Sequence, residues 1–232
     1  MNCAPGPRGP KELKAVLWDL DGTFIDSEGL WFLGITDMAH SFGATWTEQD
    51  HQATVGSHLP FTAEMLQRRG VDLPAEEIIN RLSDDVVSRF AQAPPFTPGA
   101  LELARQCAAA GLAQALVTMS ITRLTDPLME VVERLLPGAF KVVITGDAVS
   151  HGKPHPEPYL LALAGLGLAA DSCLAIEDSP TGVASAMAAG VTTVAVQGHA
   201  AVAPQPGLIQ IQSLTRLDVS LLRAIHAGQT MP

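Results

Sequence analysis

Two aspartates two residues apart, Asp19 and Asp21, close a short apolar run and are followed at once by Gly22-Thr23. The run itself, Ala15-Val16-Leu17-Trp18, with Leu20 between the acids, has the composition of a fully buried strand of an α/β sheet. Carboxylates at i and i+2 of an extended segment point to one side, so both acids are expected in one crevice beyond the strand's end. That is where such sheets bind ligands. Two anions held so close repel unless a cation or a proton lies between them. A strand ending in a polar turn can carry the same letters, so the pair gains chemical meaning only from partners elsewhere.

Candidate partners close other apolar runs. LAQALVTMS (112–120) ends in Thr118, Met119 and Ser120, and CLAIEDS ends in Glu177, Asp178 and Ser179. The turn HGKPHPEP, after KVVITGDAV (141–149), sets Lys153 between a glycine and a proline. In one parallel sheet the carboxyl ends of these strands face the same edge, so the acids, the hydroxyl and the lysine share a crevice. Oxygen donors at that density suit Mg2+, which takes a few carboxylates together with water and phosphate oxygens. Softer metals are disfavoured, because no cysteine or clustered histidine accompanies the acids. A carboxylate nucleophile beside such an ion suits phosphoryl transfer, with a second acid protonating the leaving oxygen and later taking a proton from water. His151, His155 and His199 have no nucleophile to serve, and His155 reads as a turn residue beside the lysine.

The elements that must hold these groups follow from periodicity. Residues 27–94 carry only helical patterns, within 28–42, in FTAEMLQRRG and in PAEEIINRLSDDVVSRFAQ, where Pro74 and Glu76-Glu77 suit a helix start. After Pro98-Gly99, helical and strand patterns alternate from ALELARQCAAAG to SLLRAIHAG, with an early break expected at Pro127 and Ser179 as an N-cap. Gly165-Leu166-Gly167 reads as a helix end and not as a dinucleotide loop. The alternation implies an α/β fold, a doubly wound, mostly parallel, Rossmann-like sheet. The expected division is a flexible tail at 1–12, a core at 13–26 and 95–232, and an inserted α-helical cap domain at 27–94.

Composition bounds the partners. A chain of 232 residues, 47% of them hydrophobic, can bury a sizeable core and carry an insertion. A net charge of -10 with no basic run argues against nucleic acid and anionic membranes. Cys3, Cys107 and Cys173 are far apart and odd in number, which indicates neither a disulfide framework nor a zinc site. The first dozen residues lack an apolar leader core, so a cytoplasmic protein is expected, acting on a small molecule as a monomer or weak homodimer.

DLDGT, the hydroxyl of VTMS, the lysine of GKPHPEPY and the acids of EDSPTGVASAMAAG resemble, in order, the four motifs of the haloacid dehalogenase superfamily of phosphohydrolases. The similarity runs the length of the chain after the tail. The helical insertion resembles the branch of phosphoglycolate phosphatases, sugar-phosphate phosphatases and β-phosphoglucomutases. The resemblance implies that Asp19 is the nucleophile and that Asp21 is the general acid and base, and a metal ligand through its backbone carbonyl. It further implies that Thr118 holds a phosphate oxygen, that Lys153 pairs with nucleophile and phosphate, and that Asp19, Glu177 and Asp178 hold Mg2+, Glu177 directly or through water. Substrate contacts would come from Met119, from Trp31 and from the cap loop 55–61 with Gly56, Ser57, His58 and Phe61. The implied activity is Mg2+-dependent hydrolysis of a small phosphorylated metabolite, a phosphomonoester, through an aspartyl phosphate. The alternative is a β-phosphoglucomutase-like sugar phosphomutase; Trp31 stands about where those enzymes carry a histidine, and His58 near their arginine. A signalling receiver domain would carry adjacent acids after its first strand, and a decayed binding scaffold would have lost some of these positions.

Overall fold

A computed structural model describes residues 12–54, 59–198 and 200–229. In chain order the elements are β1 (Ala15–Trp18), α1 (Glu28–Ser41), α2 (Glu48–Thr54), α3 (Leu59–Arg68), α4 (Ala75–Gln92), α5 (Ala100–Ala109), β2 (Ala113–Val117) and α6 (Thr122–Leu135). They continue as β3 (Phe140–Ile144), α7 (Glu157–Leu166), β4 (Cys173–Glu177), α8 (Pro180–Ala188), β5 (Thr192–Val196), β6 (Ile209–Ile211) and α9 (Val219–His226). All neighbouring strands pair in parallel, in the order β3-β2-β1-β4-β5-β6. This is the doubly wound order, and the direction of winding reverses between β1 and β4.

β1 lies in the interior of the sheet, and every side chain from Ala15 to Trp18 is fully buried. The one polar group among them is matched, since Trp18 Nε1 donates to Gln114 Oε1 at 3.0 Å and Gln114 Nε2 donates to the Ala104 carbonyl at 3.0 Å. Buried polar atoms left without such partners would each cost about 1–3 kcal/mol. Ala15, Leu17, Ala115, Val117, Cys173 and Ala175 join Tyr159, Ala162 and Leu163 of α7 in one apolar cluster, so Cys173 is a core residue and Cys107 is likewise buried and free. α7 ends at Gly167, whose φ of 65° only glycine adopts cheaply.

The chain divides into two compact units. One holds the sheet, with Ile25, Phe96–Thr122 and the residues from Val132 on; the other is Asp26–Pro95 with Arg123–Val131. The helical unit has its own core of Ile35, Ala39, Trp46, Ala63, Leu66, Val71, Ile78 and Leu82. Arg123 belongs to it through Asn80 and Asp84, to both of which its guanidinium donates. At the chain crossings Ile25 bridges to Phe96 within the sheet unit, and the Asp26 N–H donates to the Pro95 carbonyl at 2.8 Å within the helical one.

Two local expectations change. α6 runs unbroken from Thr122 through Pro127, because its buried Leu124, Leu128 and Val132 hold the helix where one backbone bond is missing. α2 adds a helix where EQDHQAT has no apolar stripe; it starts on a reciprocal cap, with Thr47 N–H donating to Asp50 Oδ2 at 3.0 Å and Asp50 N–H to Thr47 Oγ1 at 3.2 Å. Among the described residues no helix is long and apolar enough to cross a membrane.

Candidate active site

Asp19 is the first residue beyond β1, tied to β4 by its N–H, which donates to the Ile176 carbonyl at 3.0 Å. The backbone then turns: the Leu20 carbonyl accepts from the N–H groups of Thr23, Phe24 and Ile25, and Gly22 takes a φ of 87°. The two acids serve different partners. Asp19 Oδ1 accepts from Lys153 Nζ at 2.6 Å. Asp21 Oδ2 accepts from Ser120 Oγ at 2.7 Å and Thr118 Oγ1 at 3.3 Å, both beyond β2.

Lys153 comes from the turn between β3 and α7 and is 4% exposed at its side chain. Its ammonium has three donors and uses all of them: Asp19 Oδ1 at 2.6 Å, Glu177 Oε1 at 2.7 Å and the Val117 carbonyl at 2.8 Å. Burial opposes the charge on Lys153, but Asp19 and Glu177 outweigh it and hold the ammonium above its ordinary pKa. The backbone N–H of Lys153 rests on Met119 Sδ at 3.2 Å.

Glu177, at the end of β4, is fully buried. Besides Lys153, its Oε1 accepts from Tyr159 Oη at 2.7 Å, and its Oε2 from Ser179 Oγ and the Asp178 N–H, each at 3.3 Å. Asp178 Oδ1 accepts from Thr23 Oγ1 at 3.2 Å. Glycines make room for Asp178: a Cβ at Gly22 would lie 2.1 Å, and one at Gly198 2.3 Å, from its Oδ2.

Asp19, Glu177 and Asp178 each offer an oxygen, all within 4.8 Å of one another. Three buried carboxylates face one ammonium, so the cluster lacks positive charge. Burial first, and then Glu177, hold the Asp19 carboxyl well above the usual range, with Lys153 opposing. Burial and Glu177 likewise raise Asp178 to about 6. A hard divalent cation fits this donor set, which is all oxygen, converges in a glycine-lined cradle and is short of charge.

Of the residues expected from sequence, Asp19, Lys153, Glu177 and Asp178 meet directly, Asp21 and Thr118 meet each other, and Met119 lies under the lysine turn. Trp31 packs against the core of the helical unit and Phe61 lies half-buried in α3 of that unit. Gly56, Ser57 and His58 lie outside the described residues. Sequence reasoning gave no role to Thr23, Ser120 and Tyr159. The first two sit beside motif residues and were findable by position, whereas Tyr159 looks like one more apolar residue on α7.

The family model of haloacid dehalogenase-like hydrolases matches residues 16–196. A phosphorylated carbohydrates phosphatase of Thermotoga maritima is 30% identical over 190 residues, covering 78% of this chain and 84% of that protein. A phosphoglycolate phosphatase of Salmonella typhi is 30% identical over 215 residues, covering 79% and 81%. The crystal structure of CbbY from Rhodobacter sphaeroides in complex with phosphate shares the fold, with a TM-score of 0.73 at 22% identity over 90% of this chain and 98% of that one.

Proposed function

The chain belongs to the haloacid dehalogenase-like hydrolase family, and from that premise we propose that it hydrolyses the phosphate monoester of a small phosphorylated metabolite, with Asp19 as nucleophile and Mg2+ as the metal. The observation that supports this most is the seating of Lys153 Nζ on Asp19 Oδ1 and Glu177 Oε1, 2.6 and 2.7 Å away, beside Asp178.

In the proposed reaction an oxygen of Asp19 attacks phosphorus while the ester oxygen leaves with a proton from the Asp21 carboxyl. An aspartyl phosphate and an alcohol result. Asp21, now ionised, takes a proton from water; that water attacks the phosphoryl group, and inorganic phosphate leaves with the Asp19 carboxylate restored. Ser120 and Thr118 orient Asp21 as an acceptor, and Thr118 faces the phosphoryl oxygens. Lys153 steers the nucleophile and offsets phosphoryl charge. Asp19, Asp178 and the Asp21 carbonyl would hold the metal, with Glu177, already engaged by four donors, behind them. When bound, Mg2+ supplies charge neutralisation at the phosphoryl oxygens.

Phosphate release from a panel of phosphorylated sugars, polyols and hydroxy acids, and from an aryl phosphate, tests the reading. Mg2+-dependent release from at least one is expected; no release from any of them in saturating Mg2+ would sink it.

A further inference from the structure

Two residues to either side of Lys153 stand histidines. The side chains of His151 and His155 are 68% and 51% exposed, whereas Lys153 points inward. Their ring centroids lie 4.8 Å apart. Glu157, the first residue of α7, reaches to both, with Oε2 at 2.9 Å from His151 Nδ1 and 3.9 Å from His155 Nδ1. We propose that His151, His155 and Glu157 form a second metal site, for a borderline cation such as Zn2+, on the solvent side of the turn that carries Lys153.

One ligand atom from each of the three residues lies within 4.8 Å of the others. Donors around a tetrahedral Zn2+ at about 2.0–2.1 Å are about 3.3 Å from one another. The two distances to Glu157 bracket that separation, so small side-chain rotations complete the set. Two imidazoles and a carboxylate suit Zn2+, and not the hard Mg2+ that the all-oxygen cluster favours; the two sites thus select by donor chemistry. The carboxylate is already oriented: Ser150 N–H donates to Oε1 at 2.7 Å and His151 N–H to Oε2 at 3.0 Å. Those backbone donors, and the His151 ring, hold Glu157 below its ordinary pKa.

On loading, His151 Nδ1 turns its lone pair to the ion, and His155 Nδ1 gives up a 3.2 Å contact from the Glu157 N–H. Water completes the coordination. The ion then joins positions 151, 155 and 157, so it stiffens the turn that delivers Lys153 without touching Asp19. Sequence spacing alone concealed the site, because the histidines cluster only once the turn has closed.

The test is calorimetric titration of Zn2+ into the full chain with the acid cluster saturated by Mg2+, together with melting temperatures. One Zn2+ per chain is expected, with affinity reduced at least about tenfold in His151→Ala and in His155→Ala, and unchanged in Asp178→Asn. Zn2+ should raise the melting temperature of the wild type and not that of His151→Ala. The proposal is overturned if the wild type takes up no Zn2+, if both histidine variants bind it as tightly as wild type, or if Asp178→Asn abolishes uptake.

Discussion

Tyr159 Oη donates to Glu177 Oε1 at 2.7 Å, inside a fully buried pair. The same oxygen accepts from Lys153 Nζ. A phenol on α7 therefore helps to fix the carboxylate on which the lysine leans. Removing that donor leaves a buried carboxylate short of one hydrogen bond, at a cost of about 1.5–3 kcal/mol. Tyr159→Phe is expected to lower the urea midpoint accordingly with an unchanged m-value. An unshifted midpoint would mean that the hydroxyl contributes nothing there.

Asp19→Asn should abolish turnover while the chain still folds. The amide is nearly isosteric but a poor nucleophile, and loss of a nucleophile costs on the order of 10^4-fold or more. Metal-free stability should hold or rise, because burial and Glu177 already disfavour the Asp19 charge. A variant keeping a tenth or more of wild-type turnover would remove Asp19 from the role.

Metal and pH are linked through Asp178, whose folded pKa is raised from 3.8 to about 6. In that window the folded chain binds more protons at this site than the unfolded chain does, so the group's contribution to stability falls as pH rises from about 4 to about 6. Asp19 is displaced in the same direction. A cation bound to the ionised cluster offsets the loss, so Mg2+ should raise the melting temperature more at about pH 7.5 than at about pH 5. Equal shifts at both would contradict this.

Gly182, in the first turn of α8, has no room for a side chain, since a Cβ there would lie 2.0 Å from the Glu177 carboxylate. Alanine favours helix by about 1 kcal/mol over glycine, yet overpacking a rigid neighbour typically costs about 1–3 kcal/mol. Gly182→Ala is expected to be net destabilising and to impair turnover, as measured by thermal melts and phosphate release. A stabilised, fully active variant would show that Glu177 moves freely.

Hydrolysis, and not isomerisation, is expected with β-glucose 1-phosphate and a trace of sugar bisphosphate. A mutase needs cationic groups to grip a second phosphate, but each arginine of the described helical unit is paired: Arg68 with Glu64, Arg69 with Asp50, Arg81 with Glu77, Arg89 with Asp85 and Asp37, and Arg123 with Asp84. Rapid formation of glucose 6-phosphate with little free phosphate would favour the phosphomutase.

Local sequence pattern suffices for the sheet, its flanking helices and the strand ends at which the acids stand. Burial dictates unbroken apolar runs in β1 and β4, and the acids of Asp19 and Glu177-Asp178 stand where those runs stop, a signal contained within a few residues. The N-cap at Ser179 was legible for the same reason, its Oγ accepting from the Gly182 N–H three residues on. Tertiary structure alone decided how the groups pair. The turn after Asp19 sent Asp21 to Thr118 and Ser120, 97 and 99 residues away, and Thr23 to Asp178, 155 residues away. It also seated Tyr159 beside Glu177, drew His151 and His155 together, and grouped Arg123–Val131 of α6 with the helical unit. Periodicity reports which face of an element is apolar and nothing about its neighbours. A hydrogen bond between side chains exists only once strand order, turn geometry and glycine-lined space have brought the two atoms to within about 3 Å.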